Sequence, residues 1–282
     1  MNRNIILASD STTDLNAELI ALYDLKILPL TVALGGKSYA DGTEMDPDTI
    51  YAHYEQTGEL PKTAAPNISD FYAFFSKYTA NGNAVIFFTI SAEMSSTYNN
   101  ARLAATEFED VYVVDTRNLS TGGGLLVVTA GEMIKAGKSA SEIAAYCASM
   151  TDRVSASFIV DDLEFLHKGG RCSAVAALGA SLLQLKPCIT VHNGSMGVGK
   201  KYRGKFAFVL DKYIDDQLKD PSALELEHIF VTHAGCDPAV VDACVAKVKS
   251  IATFRHVHVT RAGCTISSHC GRNTLGVLFI RK

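Results

Sequence analysis

Apolar runs of strand length recur along this chain, each followed by a turn and a helix-like segment, and that alternation constrains the fold more than any other feature. The first three are "NIILA" (4–8), "AVIFFTI" (84–90) and "VYVVD" (111–115). Strands that alternate with amphipathic or small-residue helices predict a parallel sheet with crossover connections. Further runs follow at 154–160 ("VSASFIV"), 187–192 ("PCITVH"), 228–234 ("HIFVTHA"), 254–260 ("FRHVHVT") and 276–281 ("GVLFIR"), with helical patterns at 206–218 and 239–251. Eight or more strands in 282 residues predict two α/β domains, 1–151 and 152–282, with the boundary near Thr151 and Asp152 after the helix-like "SASEIAAYCASM". No Pro- or Gly-rich linker marks that boundary, so the two are expected to pack closely.

A formal net charge of -4, with no Lys/Arg-rich run, argues against nucleic acid as a partner. The five-residue apolar run near the N-terminus is too short for a secretion signal and no stretch approaches a membrane span, so a cytoplasmic location is expected. The seven cysteines form no C-x-x-C pair and read as reduced thiols filling apolar space. Cys270 lies beside His269, but on a strand the two would face opposite sides, which argues against a catalytic pair. His256 and His258 share one strand face; two ligands fall short of a metal centre, and no metal or cofactor is expected. The pairs Asp161-Asp162 and Asp215-Asp216 read as solvated caps and helix faces.

Three turns invite a ligand. In open parallel sheets, ligands sit beyond the carboxyl ends of strands, where helix N-termini offer free amides. The turn after "VIFFTI" carries Ser91, Ser95, Ser96 and Thr97. A cap needs one hydroxyl, and the surplus points to a carboxylate or phosphate. A second turn, Ser120-Thr121 followed by Gly122, Gly123 and Gly124, suits either close backbone approach to a ligand or tight helix packing, and its spacing is not the dinucleotide fingerprint. "GGKS" (35–38) has Thr31 where a phosphate-binding loop needs glycine, so it reads as the turn of a hairpin. The third turn, Lys168-Gly169-Gly170-Arg171, leads into a helix with Ala174, Ala176, Ala177, Gly179, Ala180 and Ser181, which fits close helix packing or the wall of an apolar tunnel.

Taken together and in order, "SDSTTDL", "LPLTVALGGKSYADG", "KTAAP", "ISAEMSSTYNNA", "VVDTRNLSTGGG", "LEFLHKGGRCS", "KPCITV", "KYRGK" and "ISSHCGRNTLG" resemble the DegV family of bacterial fatty-acid-binding proteins over nearly the whole chain. The resemblance implies an N-terminal three-layer α/β/α domain with a parallel sheet and a C-terminal two-layer α/β domain with a mixed sheet. It also implies one long-chain fatty acid in a buried apolar tunnel, presented to a separate fatty acid kinase for phosphorylation to an acyl phosphate, with no chemistry on this chain and transient contact with a membrane surface allowed. By the motifs they match, Thr63, Ser95, Ser96 and His269 are the carboxylate-binding residues, with Ser91 and Ala64 as secondary contacts. Lys168, Arg171 and Arg203 are the residues for the partner or phosphate. The family's S-Q-P-S is here Ala64-Ala65-Pro66-Asn67, which removes polar groups beside the expected carboxylate, and Glu93 joins the serine turn.

Two other classes stay open at this level. One is a lipid hydrolase with Ser95 or Ser91 as nucleophile and His269 as base, although neither serine sits in a G-x-S-x-G elbow and only "GSMG" (194–197) comes near one. The other is a carrier of a different apolar carboxylate or a phospholipid.

Overall fold

The computed structural model describes residues 4–176 and 185–282. In chain order the elements are β1 (Ile5–Asp10), α1 (Ala17–Leu22), β2 (Lys26–Leu28), β3 (Thr31–Leu34), β4 (Lys37–Ala40), α2 (Pro47–Thr57), β5 (Lys62–Ala64), α3 (Ile68–Thr79), β6 (Ala84–Thr89), α4 (Thr97–Ala105), β7 (Val111–Asp115), α5 (Thr121–Lys135) and α6 (Ala140–Met150). There follow β8 (Val154–Val160), α7 (Glu164–Gly169), α8 (Ser173–Ala176), β9 (Leu185–His192), β10 (Ser195–Arg203), α9 (Phe206–Gln217), β11 (Leu224–Ala234), α10 (Pro238–Ile251), β12 (His256–Arg261), α11 (Cys264–Cys270) and β13 (Thr274–Arg281).

Strands β2-β1-β6-β7 form the expected parallel sheet, and β10-β9-β8-β13-β11-β12 a mixed sheet in which only β11 and β12 run parallel. Every residue of β6 is buried, as the continuous apolar run requires of a strand covered on both faces. On one face Phe71, Phe74 and Phe75 of α3 meet Phe87 edge-on at 5.3–5.7 Å, geometry worth about 0.5–1.5 kcal/mol per pair beyond burial. On the other, α5 lies between the two sheets, and its Leu125 to Val128 join Phe88, Phe158 and Leu278 in one core.

That position explains Gly122 and Gly124. A Cβ on Gly122 would lie 2.1 Å from Asn118 Oδ1, and one on Gly124 2.9 Å from the Thr13 carbonyl. Both glycines are there for packing. Gly35 and Gly36 of "GGKS" form the hairpin turn between β3 and β4, as expected. All seven cysteines are free and buried.

One expectation is corrected. His269 and Cys270 lie on helix α11, not on a strand, so they are neighbours on a curved surface rather than on opposite faces. The proposed small-residue helix is described only as far as Ala176; Ala177, Gly179, Ala180 and Ser181 lie outside the described residues.

A third sheet, β4-β3-β5, is small and antiparallel, and α11 docks beside it. Gly263, the cap position of α11, has no side chain to accept the first free amides. Asp14 and Asp41 accept them instead: Gly263 N–H donates to Asp14 Oδ1 at 2.8 Å, Cys264 N–H to Asp41 Oδ1 at 2.8 Å and Thr265 N–H to Asp41 Oδ2 at 3.3 Å. Burial pushes the Asp14 carboxyl up to about 8, against hydrogen bonds from Ser120 and Gly263 that favour the ionised form. The folded state therefore holds a proton on Asp14 that the unfolded chain, with an ordinary carboxyl near 3.8, has released. This contribution to stability is fully present below pH 3.8 and is lost as pH rises toward 8. Asp14→Asn keeps the acceptor for Gly263 and removes the titration. We expect the wild-type chain to lose more stability than Asp14→Asn between pH 5 and 8, with a slope difference approaching one proton, measured by denaturant unfolding across that range.

Candidate functional site

Thr63 stands in β5, whose antiparallel pairing sets it opposite Val32 of β3. His269 stands in the last turn of α11. Their side chains meet, with Thr63 Oγ1 2.8 Å from His269 Nε2, across 206 positions of sequence. The pair sits in the wall of a cavity of about 360 Å³ that also touches Ser95, Ser96, Ala64, Ala65 and Arg171. Thr63 and Ser95 are half-buried while Ser96 and Arg171 are exposed, so this polar end opens toward solvent.

Apart from Thr265, the rest of the wall is apolar or carries sulfur. Leu30, Ile90, Leu119, Phe158 and Leu166 are buried, and Met94, Met196 and Ile266 add flexible or branched surface. A second void of about 30 Å³ shares Leu119, Phe158, Ile266 and Cys270 with the first and continues toward Gly276 and Leu278 of β13, with Ser120, Thr232, His233 and Thr274 also in its lining. One end is polar and wet, and the other runs into the core between the sheets.

The serine turn divides its work. Ser95 Oγ lies 2.8 Å from Thr97 Oγ1 and accepts from Thr97 N–H at 3.3 Å, next to the start of α4. Ser96 occupies the cap position of α4 without a side-chain bond to the helix. Ser91 is turned away from the cavity: its hydroxyl donates to the Gly194 carbonyl at 2.7 Å and accepts from Glu93 N–H at 3.2 Å, fastening this turn to the β9–β10 hairpin. Glu93 is exposed and does not line the cavity.

His269 is driven neutral. Burial, followed by the nearby Arg171 charge, lowers its imidazolium to about 4. Its Nδ1 is buried without a hydrogen-bond partner among the described residues, as is Thr265 Oγ1 in the same wall. A Cβ on Gly169 would sit 2.6 Å from that Nδ1, so the first glycine of Lys168-Gly169-Gly170-Arg171 makes room for the ring. Gly170, with φ at +69°, reverses the chain.

Arg171 then projects at the mouth. Its Nη1 donates to the Gly169 carbonyl at 2.8 Å, while the nearby acids are paired with lysines: Glu164 with Lys168 at 2.6 Å, and Asp161 with Lys186. Lys168 and Arg203 are exposed and do not line the cavity. Cys270 does line it, yet burial pushes its thiol up to about 12, which leaves no thiolate for catalysis.

Two further wall residues of α11, Thr265 and Ile266, join His269 and Cys270, and the sequence reading named neither. Thr265, Ile266, His269 and Cys270 follow an i, i+1, i+4, i+5 pattern on α11. That helical spacing was the available signal. Leu30, Leu119, Phe158 and Met196 come from four distant segments and carry no local mark of a shared wall.

The family model described as "Uncharacterised protein, DegV family" matches residues 4–282. The chain belongs to the DegV family. A DegV domain-containing protein of Clostridium acetobutylicum is 30% identical over 280 residues, 99% of each chain. The structure of a fatty-acid-binding DegV family protein from Thermus thermophilus matches with a TM-score of 0.90 at 29% identity, covering 99% of this chain and 100% of that one. A stearic-acid-binding protein from Eubacterium ventriosum matches with a TM-score of 0.83 at 26% identity, covering 99% and 98%. The α/β architecture with one parallel and one mixed sheet is thus the DegV fold. No helix among the described residues is long and apolar enough to cross a membrane.

In this DegV family member the lowered pKa of His269 has a direct readout. Its ring should remain neutral from pH 8 down to pH 5.5 and titrate near pH 4. Nitrogen-detected histidine NMR checks this; a midpoint near 6.5 would mean that the ring is solvated rather than enclosed.

Proposed function

We propose that this chain binds one long-chain fatty acid, with the carboxylate at the Thr63–His269 end of the cavity and the alkyl tail along its apolar wall. It presents that carboxylate to a separate fatty acid kinase, which phosphorylates it to an acyl phosphate. The observation that carries the reading is the Thr63–His269 hydrogen bond at the polar, solvent-facing end of a cavity whose wall, among the described residues, is mostly apolar. The fatty acid binding named for the Thermus protein and the stearic acid named for the Eubacterium protein support it.

The chemistry is consistent at both ends. A neutral His269 with its proton on Nε2 donates to Thr63 Oγ1, which leaves the Thr63 hydroxyl hydrogen free to donate to a carboxylate oxygen. Ser95 and Ser96 supply further hydroxyls at the start of α4, where the helix end favours an anion. Burying a chain of roughly 16 carbons at about 0.8 kcal/mol per methylene offers on the order of 12 kcal/mol before costs, while each head-group hydrogen bond is worth about 1–3 kcal/mol. Affinity then resides in the tail and orientation in the head group.

A hydrolase is the weaker reading, because Ser95 Oγ bonds Thr97 and the His269 ring bonds Thr63, so the described residues hold no serine–histidine pair. A carrier of a different apolar carboxylate uses the same cavity. Mass spectrometry of lipid extracted from the purified protein distinguishes it from a fatty acid carrier.

We expect delipidated protein to take up one C14 to C18 fatty acid per chain, and Thr63→Ala and Ser95→Ala each to weaken that uptake by about 5- to 150-fold while unfolding cooperatively. Failure to bind any such acid in a calorimetric titration sinks the carrier reading. Wild-type affinity in both variants removes these residues from the site.

Arg171 has the role of steadying the charge that builds as the carboxylate is phosphorylated, for which a guanidinium at the mouth is well placed. Lys168 and Arg203 offer cationic surface to an acidic partner. Arg171→Ala should bind fatty acid nearly as well as wild type and support much slower acyl-phosphate formation with a cognate kinase, followed by hydroxylamine trapping. An equal loss of binding makes the residue structural, and unchanged phosphorylation leaves it without this role.

A further inference from the structure

Five side chains that the cavity does not use converge where α5 meets β11 and the edge strand β12. Parallel pairing aligns His228 with His256 and Phe230 with His258. The three imidazoles stack with interplanar angles of 14–18°. His228 is buried with both nitrogens engaged: Nδ1 lies 3.0 Å from His258 Nε2, and Nε2 lies 3.0 Å from Glu132 Oε1. Glu227 completes the group, since one ligand atom each from Glu132, Glu227 and His228 lies within 4.8 Å of the others. Consecutive residues of a strand ordinarily face opposite sides. Here the pairing of β11 with β13 shifts register between Leu224 and Ile229, a break that re-aims side chains and lets Glu227 and His228 converge.

We propose that Glu132, Glu227 and His228 bind a divalent transition-metal ion, with zinc the best fit, through His228 Nε2 and one oxygen of each carboxylate. One imidazole nitrogen with two carboxylate oxygens is a zinc-type donor set. Tetrahedral bonds of about 2.0–2.2 Å place donors roughly 3.3–3.5 Å apart. The His228–Glu132 contact at 3.0 Å is close to that spacing, and rotation of the partly exposed Glu227 closes the rest. A metal on Nε2 leaves the ring proton on Nδ1, which then donates to His258 Nε2, the outer hydrogen bond that fixes metal-bound histidines.

Both glutamates and His228 also line a cavity of about 330 Å³, which leaves room for water at a fourth position. Arg255 competes for Glu227, with Nη1 3.1 Å from Oε1, but its side chain is 72% exposed. An ion pair that open is worth about 0–1 kcal/mol and yields to a divalent ion. His256 Nε2, 4.0 Å from the same oxygen, flanks the site.

The test titrates the full chain with zinc sulfate in a non-chelating buffer at pH 7.5, by calorimetry and by thermal unfolding. The expected result is one saturable equivalent that raises Tm, with affinity reduced about tenfold or more in His228→Ala, Glu132→Gln and Glu227→Gln. The two glutamine variants change partly exposed side chains, so they decide the matter even where His228→Ala fails to fold. Absence of one-equivalent binding below millimolar zinc overturns the assignment. So does binding that persists unchanged in both glutamine variants, which places the ion elsewhere.

Discussion

The first amides of α11 are accepted by aspartate side chains 249 and 223 positions earlier in the chain, and the cavity depends on that attachment. A helix of seven residues is too short to persist by itself. Gly263 offers no cap, so α11 forms only where Asp14 and Asp41 are already in place. Asp14 is in turn set by the turn after β1 and bonded by Ser120 at the start of α5, while Asp41 also accepts from Ser11 at 2.8 Å. The opening segment "SDSTTDL" is thus a brace. Through it, the end of the first parallel strand fixes where the helix carrying His269 begins, and the register of that helix aims Thr265, Ile266, His269 and Cys270 at one wall.

The brace and the site share an electrostatic character. Burial raises the carboxyls of Asp10 and Asp14 and lowers the imidazolium of His269, so in each case the enclosed group moves toward its neutral form. Enclosed charges without partners are costly, and neutral groups that still hydrogen-bond are not. The wall can therefore keep polar atoms at one end without a buried ion. The unpartnered Nδ1 of His269 and Oγ1 of Thr265 show where hydrogen-bonding capacity remains unused among the described residues.

Legibility followed the range of the forces involved. The apolar runs at 111–115 and 154–160 coincide with β7 and β8, because strands that fill a core announce themselves by local composition. Strands β2 and β5 are three residues each, and β5 exists only because β3 offers it an edge, so Thr63 emerged from family resemblance and not from any pattern around it. Helix α11 reads "CTISSHC", whose β-branched and hydroxyl residues have little helical preference. Its caps lie far away in sequence, which is why a strand was the natural expectation there. Likewise His256 and His258 were visible as a strand-face pair, while Glu132, Glu227 and His228 became their neighbours only through the packing of α5 on β11.

The substitutions at the mouth follow from the same balance. Ala64 and Ala65 stand where the family's motif has polar side chains, and both line the cavity. Under the proposed reading, losing one or two hydrogen bonds removes about 1–3 kcal/mol each from the head group, against a tail term several times larger. Binding tolerates that loss; orientation tolerates it less. With His269 neutral, the cation in the lining is Arg171, and because it is exposed a carboxylate beside it gains only about 0–1 kcal/mol from the pair. A carboxylate drawn inward would surrender its water, at a cost of several kcal/mol. In that reading the tail pulls in and the head group does not follow, so the acid's reactive end stays at the surface while the rest is buried.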